Sequence, residues 1–191
     1  MACKIEEVKP PTVSDFVYVS ADCYTKGDIV GLEMEVCTVL KFRLCQVTPF
    51  HFVEEFVRAS QARRNPCCQQ ADTLRYMVYY LLELALLSYR LTTVSPRLVA
   101  AAAVYLARVT LHICSPSEAA DGCPRGLWTK TLEHYTGFAL WDLEDVVTCI
   151  HALQLQAEES QFTNAFSKYS KAKFRQVSLK TVPTEDDLGF C

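Results

Sequence analysis

Three times along this chain a hydroxyl residue stands where a helix is about to open. Thr25 is followed three residues later by Asp28, a capping-box spacing, and Thr48 and Ser95 are each followed at once by a proline suited to a first helical position. Behind each signal the apolar residues recur every three or four positions. Ile29, Leu32, Val36, Val39 and Leu40 follow the first; Phe50, Val53, Phe56 and Val57 follow the second; Val99, Tyr105 and Leu106 flank the run Ala100 to Ala103 after the third. No alternation of period two persists anywhere, so the chain is expected to be all-α.

The remaining segments fill in the outline. Residues 1–8 read as the last turns of a helix ended by Pro10 and Pro11. Residues 12–24 read as an ordered loop, and a helix then runs from Thr25 to about Lys41. The stretch 61–71 is polar, contains a proline, and reads as a linker between two halves. Beyond it, a helix from about Ala71 to Tyr89 is apolar almost all round and must be surrounded by other helices. Further helices are expected over 95–113, 126–136, 140–157 and 160–171. The chain of 191 residues is long enough for such an arrangement to bury roughly 70% of the surface of the unfolded chain.

Composition excludes several classes. Half of the residues are hydrophobic and the net charge is only −3, which excludes disorder as the main state and gives no broad basic surface for nucleic acid or membrane. The most apolar run, Tyr76 to Tyr89, contains Glu83, lies between Arg75 and Arg90, and is shorter than the ~20 residues a bilayer requires. The ten cysteines include no C-x-x-C pair, and Cys37 and Cys149 fall in apolar helical stretches, so they are read as reduced core thiols. Lys4, Glu6, Glu7 and Lys9 are incompatible with a signal peptide, and a reducing compartment, nucleus or cytoplasm, is expected.

No motif announces an enzyme. The six glycines form no phosphate-cradling loop, and the four histidines are scattered, with His112 and Cys114 on different helix faces. No catalytic residue, metal site, cofactor or small-molecule ligand is expected. The acidic end (Glu185, Asp186, Asp187) reads as a solvated tail over 181–191. The basic run Lys168, Lys171, Lys173 and Arg175, interleaved with Phe162, Phe166 and Tyr169, reads as core anchors with lysines outside, available to an acidic partner. An Arg108-to-Leu111 R-x-x-L motif lies within a core helix and is read as coincidence.

One position is physically odd. At 100° per residue, Glu33 falls inside the apolar arc of its helix beside Cys37 and Leu40, whereas Glu35 points away with Gly31 and Asp28. A carboxylate on a buried face needs a partner, and Lys4 is the candidate. The pair reads either as an internal salt bridge or as a site that grips another protein.

The residues from Lys4 to Leu44 also carry a resemblance. A Lys followed by two acids, a Pro pair, the run Asp15-Phe16-Val17-Tyr18, Tyr24-Thr25, Met34-Glu35 and the closing Leu40-x-Phe42-x-Leu44 resemble the cyclin box of mitotic (A/B-type) cyclins. The segments from Ser95 to Ala107, Trp128 to Phe138 and Phe166 to Ser178 resemble the second cyclin fold. The resemblance implies a cyclin-like fold: a partial N-terminal box over 1–60, lacking the first two helices of such a box; a linker over 61–71; and a five-helix C-terminal cyclin domain over 72–180. It implies a non-catalytic regulatory subunit that forms a heterodimer with a cyclin-dependent serine/threonine kinase and activates it in G2/M control.

By the same resemblance, Lys4 and Glu33 hold kinase main chain, while Cys37, Phe42 and Leu44, flanked by Ile5, receive an aliphatic kinase side chain. Ile5 stands where an aromatic is usual and Cys37 is smaller than the usual Leu, which makes the pocket shallower. Without preceding helices the faces at 29–40 and 50–57 are expected to lack cover, leaving the chain marginal alone. Two rival readings remain: a cyclin-fold protein without kinase activation, and a transcription-factor-like helical protein, whose salt-dependent DNA binding the charge of −3 argues against.

Overall fold

The computed structural model describes residues 2–61, 68–113 and 126–190. The chain divides into two compact units, Met1–Gln46 and Val47–Cys191. Both are helical, and no β-strand element occurs among the described residues.

The first unit holds α1 (Ala2–Glu6), α2 (Val13–Val19) and α3 (Lys26–Val39). Helix α2 replaces the loop expected over 12–24, and its cause is local. The Thr12 N–H donates to Asp15 Oδ2 at 2.6 Å and the Asp15 N–H donates to Thr12 Oγ1 at 3.4 Å, a reciprocal cap like the one expected and found between Thr25 and Asp28. Ala21 and Asp22 then turn the chain in left-handed conformation before Thr25 starts α3.

The end of α3 is also built from left-handed residues, Lys41 and Phe42, with no glycine. The Phe42 N–H reaches back to the Cys37 carbonyl at 2.8 Å and the Lys41 N–H to that of Thr38 at 3.0 Å, the two bonds of a Schellman motif. The motif folds Phe42 back toward Cys37, and the Leu44 N–H then bonds the Phe42 carbonyl at 3.0 Å. None of the described side chains in this unit is buried. Leu32 is 62% exposed and Val39 74%, so the apolar arc of α3 lies open, as expected.

The second unit contains α4 (Phe50–Ser60), α5 (Cys68–Ala85), α6 (Pro96–Thr110), α7 (Lys130–Thr136), α8 (Glu144–Gln156) and α9 (Asn164–Tyr169). Helix α4 belongs here, not to the N-terminal part assigned over 1–60. Its Val53, Phe56 and Val57 are buried, and it packs on α5, α6 and α7. The face at 50–57 is therefore covered, except for Phe50, which stays exposed and stacks on Tyr79 with ring centroids 5.1 Å apart. The expected linker over 61–71 is also shorter than assigned, because α5 already begins at Cys68; residues 62–67 lie outside the described residues. Thr48 does not cap α4 in the expected way. Pro49 is the N-cap residue, and the Thr48 N–H donates to His51 Nδ1 at 3.1 Å, so the ring plays the part a Glu would play three residues on.

Helix α6 is the centre of this unit. Every residue from Val99 to Thr110 is buried, and α4, α5, α7 and α8 pack around it. The alanine run lets these neighbours approach closely, while Tyr105 and Leu106 fill the remaining volume. Arg108 is fully buried on α6. Its guanidinium donates to the carbonyls of Leu127 at 2.8 Å, Ser60 at 2.8 Å and Gly126 at 3.5 Å, which ties the end of α4 to the segment leading into α7.

The C-terminal segment is docked, in contrast to the solvated tail expected over 181–191. Leu188 is buried, Tyr105 donates its hydroxyl hydrogen to the Leu188 carbonyl, and His151 Nε2 lies 2.8 Å from the Pro183 carbonyl. Asp187 caps the turn through Thr184, and Glu185 and Asp186 face solvent. The thiols also differ in part from expectation. Cys37 and Cys149 are half-buried and free, but Cys23 and Cys45 are exposed; Cys67, Cys114, Cys123 and Cys191 lie outside the described residues. Of the aromatic anchors expected in the basic run, Tyr169 is buried and Phe166 half-buried, whereas Phe162 is 56% exposed.

Candidate partner-binding groove

The groove lies within the first unit, and each wall has a local cause. Helix α1 presents Lys4 and Ile5. Helix α3 presents Glu33 and Cys37 one turn apart, and its Schellman ending turns Phe42 and Leu44 onto the same side. All six residues expected to contact a partner line this one concavity, of about 280 Å³.

Two further walls, Val30 and Met34, were not read from the sequence. The signal was present: 30, 33, 34 and 37 have the i, i+3, i+4, i+7 spacing of one helical stripe. The larger apolar arc at 29, 32 and 36 masked it. That arc lines a second concavity of similar size with Pro11, Val13 and Phe16, and Lys4 and Glu33 border both hollows. The charged pair is thus a ridge between two apolar faces.

The Lys4 ammonium donates to Glu33 Oε2 at 2.7 Å. This bond holds the Glu33 carboxyl below the usual carboxylate range, against the opposing effect of desolvation. The expectation of a buried acid needs correction. The Glu33 side chain retains 25% of its exposure and Lys4 56%, so the pair borders solvent. Glu33 is nonetheless better covered than the apolar Leu32 and Val36 beside it, which α2 covers only in part.

Chemically, the site offers an ammonium with three donor hydrogens, a carboxylate that accepts, and apolar walls that remain open, with Phe42 64% and Ile5 52% exposed. Donor and acceptor side by side match the C=O and N–H of an extended or helix-terminal backbone, and the hollow next to them suits an aliphatic side chain. Among the described residues no group of three or more His, Cys, Asp or Glu side chains is placed to hold a metal, and no helix is long and apolar enough to cross a membrane.

Comparison with known proteins agrees with the fold. Residues 1–45 match the cyclin N-terminal domain and residues 47–183 the cyclin C-terminal domain, so the chain belongs to the cyclin family. The break between the two matches falls where the chain divides into its two compact units. Among curated relatives, Cyclin-A3-1 of Oryza sativa subsp. japonica is 36% identical over 97% of this chain and 46% of its own length. Cyclin-A1-2 of Arabidopsis thaliana is 35% identical over 96% of this chain and 39% of its own length. Cyclin-B1-1 of Oryza sativa subsp. japonica is 32% identical over 97% of this chain and 38% of its own length. The chain thus spans less than half the length of these relatives, which include both A- and B-type cyclins.

Proposed function

We propose that this chain is a non-catalytic regulatory subunit that forms a heterodimer with a cyclin-dependent serine/threonine kinase. The observation that carries the reading is the Lys4–Glu33 pair at 2.7 Å, set in one groove with Ile5, Cys37, Phe42 and Leu44. Lys4 donates to kinase main-chain carbonyls and Glu33 accepts from main-chain N–H groups. Cys37, Phe42 and Leu44 receive an aliphatic side chain next to them.

Activation follows from differential binding. A subunit with higher affinity for the arrangement in which the kinase's Lys and regulatory-helix Glu are joined shifts the kinase toward that arrangement. The subunit itself transfers no phosphate. We place its role in G2/M control, in nucleus and cytoplasm, on the strength of its likeness to A- and B-type cyclins.

Co-purification with a cyclin-dependent kinase tests the reading. Wild-type chain is expected to retain the kinase, and Glu33→Ala to lose about tenfold or more in affinity. Equal retention by the variant would refute the assigned interface. The open apolar arc of α3 favours a second reading, binding without activation, and a phosphorylation assay on the purified pair separates the two: phosphate transfer above the kinase alone supports activation.

A further inference from the structure

A second surface, on the unit formed by Val47–Cys191, stands independently of the groove at Lys4 and Glu33. Between the start of α4, the outer face of α5 and the end of α9 lies a hollow of about 520 Å³. Its walls are mostly aromatic. Phe50 stacks on Tyr79 at 5.1 Å, Tyr76 meets Phe174 edge-on at 5.6 Å, and Tyr169 lies 5.0 Å from Phe174. Leu82 and Leu86 continue the apolar lining along α5, and Leu86 is 79% exposed. The α5 wall runs from Tyr76 to Leu86, about 15 Å at 1.5 Å per residue, which matches four or five residues of extended chain at about 3.3 Å each.

The charges around this hollow are lopsided. Glu83 lies within it and accepts from both Lys168 Nζ and the Tyr169 hydroxyl, while Lys168 also lies 5.0 Å above the Tyr169 ring. Arg175 reaches Asp72 at 3.8 Å. That leaves Lys171 and Lys173 exposed and without a carboxylate partner among the described residues, with Lys173 Nζ 5.6 Å from the centre of the Phe174 ring that forms one wall. In a chain of net charge −3, an apolar hollow with the uncompensated Lys173 beside one wall is complementary to one kind of ligand.

We propose that this aromatic hollow and its lysine rim form a docking site for a short acidic segment of a partner protein, one that carries bulky apolar side chains between its Asp and Glu residues. The apolar side chains enter between Phe50, Tyr79 and Phe174, and a carboxylate faces Lys173. Aromatic walls supply contact area at small entropic cost, and the cation supplies orientation and salt-dependent attraction.

The test is fluorescence anisotropy with the full chain and a labelled ten-residue probe peptide in which Asp and Glu alternate with Leu and Phe. Binding is expected, weakening as salt is raised. The change Lys173→Glu is expected to weaken it by about tenfold, as is Phe50→Ser on the apolar wall. A control peptide with every acid replaced by Lys is expected not to bind. Both altered residues are exposed, so these changes leave the core intact. No binding of the acidic probe, equal binding of the basic one, or unchanged affinity in either variant would each overturn the proposal.

Discussion

In α6 twelve consecutive residues, Val99 to Thr110, are buried, whereas α3, fourteen residues long, buries none. Both are helices with clear start signals and apolar side chains, so helical patterning alone does not make a core. The second unit has α4, α5, α7 and α8 around its central helix. The first unit has only α1 and α2 with α3, and its order rests on local devices: two capping boxes, a Schellman ending and the Lys4–Glu33 pair. One unit is held by packing; the other keeps its apolar surface open, around the groove assigned to a partner.

The largest effects should therefore fall in the second unit. Phe56→Ala, removing a fully buried ring from α4, is expected to cost about 3–5 kcal/mol in urea unfolding, whereas Leu32→Ala in the open arc of α3 is expected to shift it by no more than about 0.5 kcal/mol. Equal costs would erase the contrast. Arg108→Met leaves the Ser60 and Leu127 carbonyls without their donor and is expected to cost about 1–3 kcal/mol, measured the same way.

The same contrast explains what could be read in advance. Helices α3, α4 and α6 announced themselves through start signals and period, and α5 through its apolarity all round. Helix α2 did not: it has seven residues and no buried face, so only the Thr12–Asp15 spacing marked it. The groove residues were legible through the acid inside an apolar arc and through resemblance. Val30 and Met34 were not, because the larger apolar arc at 29, 32 and 36 outweighed their stripe. The Leu188 dock and the burial of Arg108 depend on contacts between residues far apart in sequence, Tyr105 with Leu188 and Arg108 with Ser60, which no local pattern encodes.

Smaller effects sharpen the comparison. Tyr105→Phe removes the hydroxyl that holds the Leu188 carbonyl and is expected to cost about 1 kcal/mol, with faster hydrogen exchange over 183–190.

pH should reach the first unit from the acid side and Tyr79 of the second from the alkaline side. In the first unit the hydroxyl and backbone of Thr12 and of Thr25 hold Asp15 and Asp28 below their ordinary value of 3.8, and Lys4 holds Glu33 below 4.5. Depressed carboxylates stabilise fully above those ordinary values and lose that contribution as pH falls through the lower folded-state ones. In the second unit burial, aided by Glu54, pushes Tyr79 up from 10 to about 12, so its neutral-state contribution is full below pH 10 and is lost as pH rises through about 12. Residue-resolved NMR through acid and alkaline titrations checks both directions; early loss of α2 and α3 signals at alkaline rather than acid pH would reverse the assignment.

A further small effect concerns the α3 ending. Lys41→Gly relieves a left-handed residue and is expected to gain about 0.5–1 kcal/mol of protection at the α3 amides, read by hydrogen exchange.

The groove's role is tested most directly by exchanging the two charges and titrating a cyclin-dependent kinase into the full chain by calorimetry. The double variant Lys4→Glu, Glu33→Lys keeps an ion pair but interchanges donor and acceptor, so a partner's main chain would meet the wrong group at both places. Loss of kinase binding in this variant, with Glu35→Ala binding like wild type, is the predicted result. Binding that survives the exchange would show that the pair only joins α1 to α3 and does not recognise a partner.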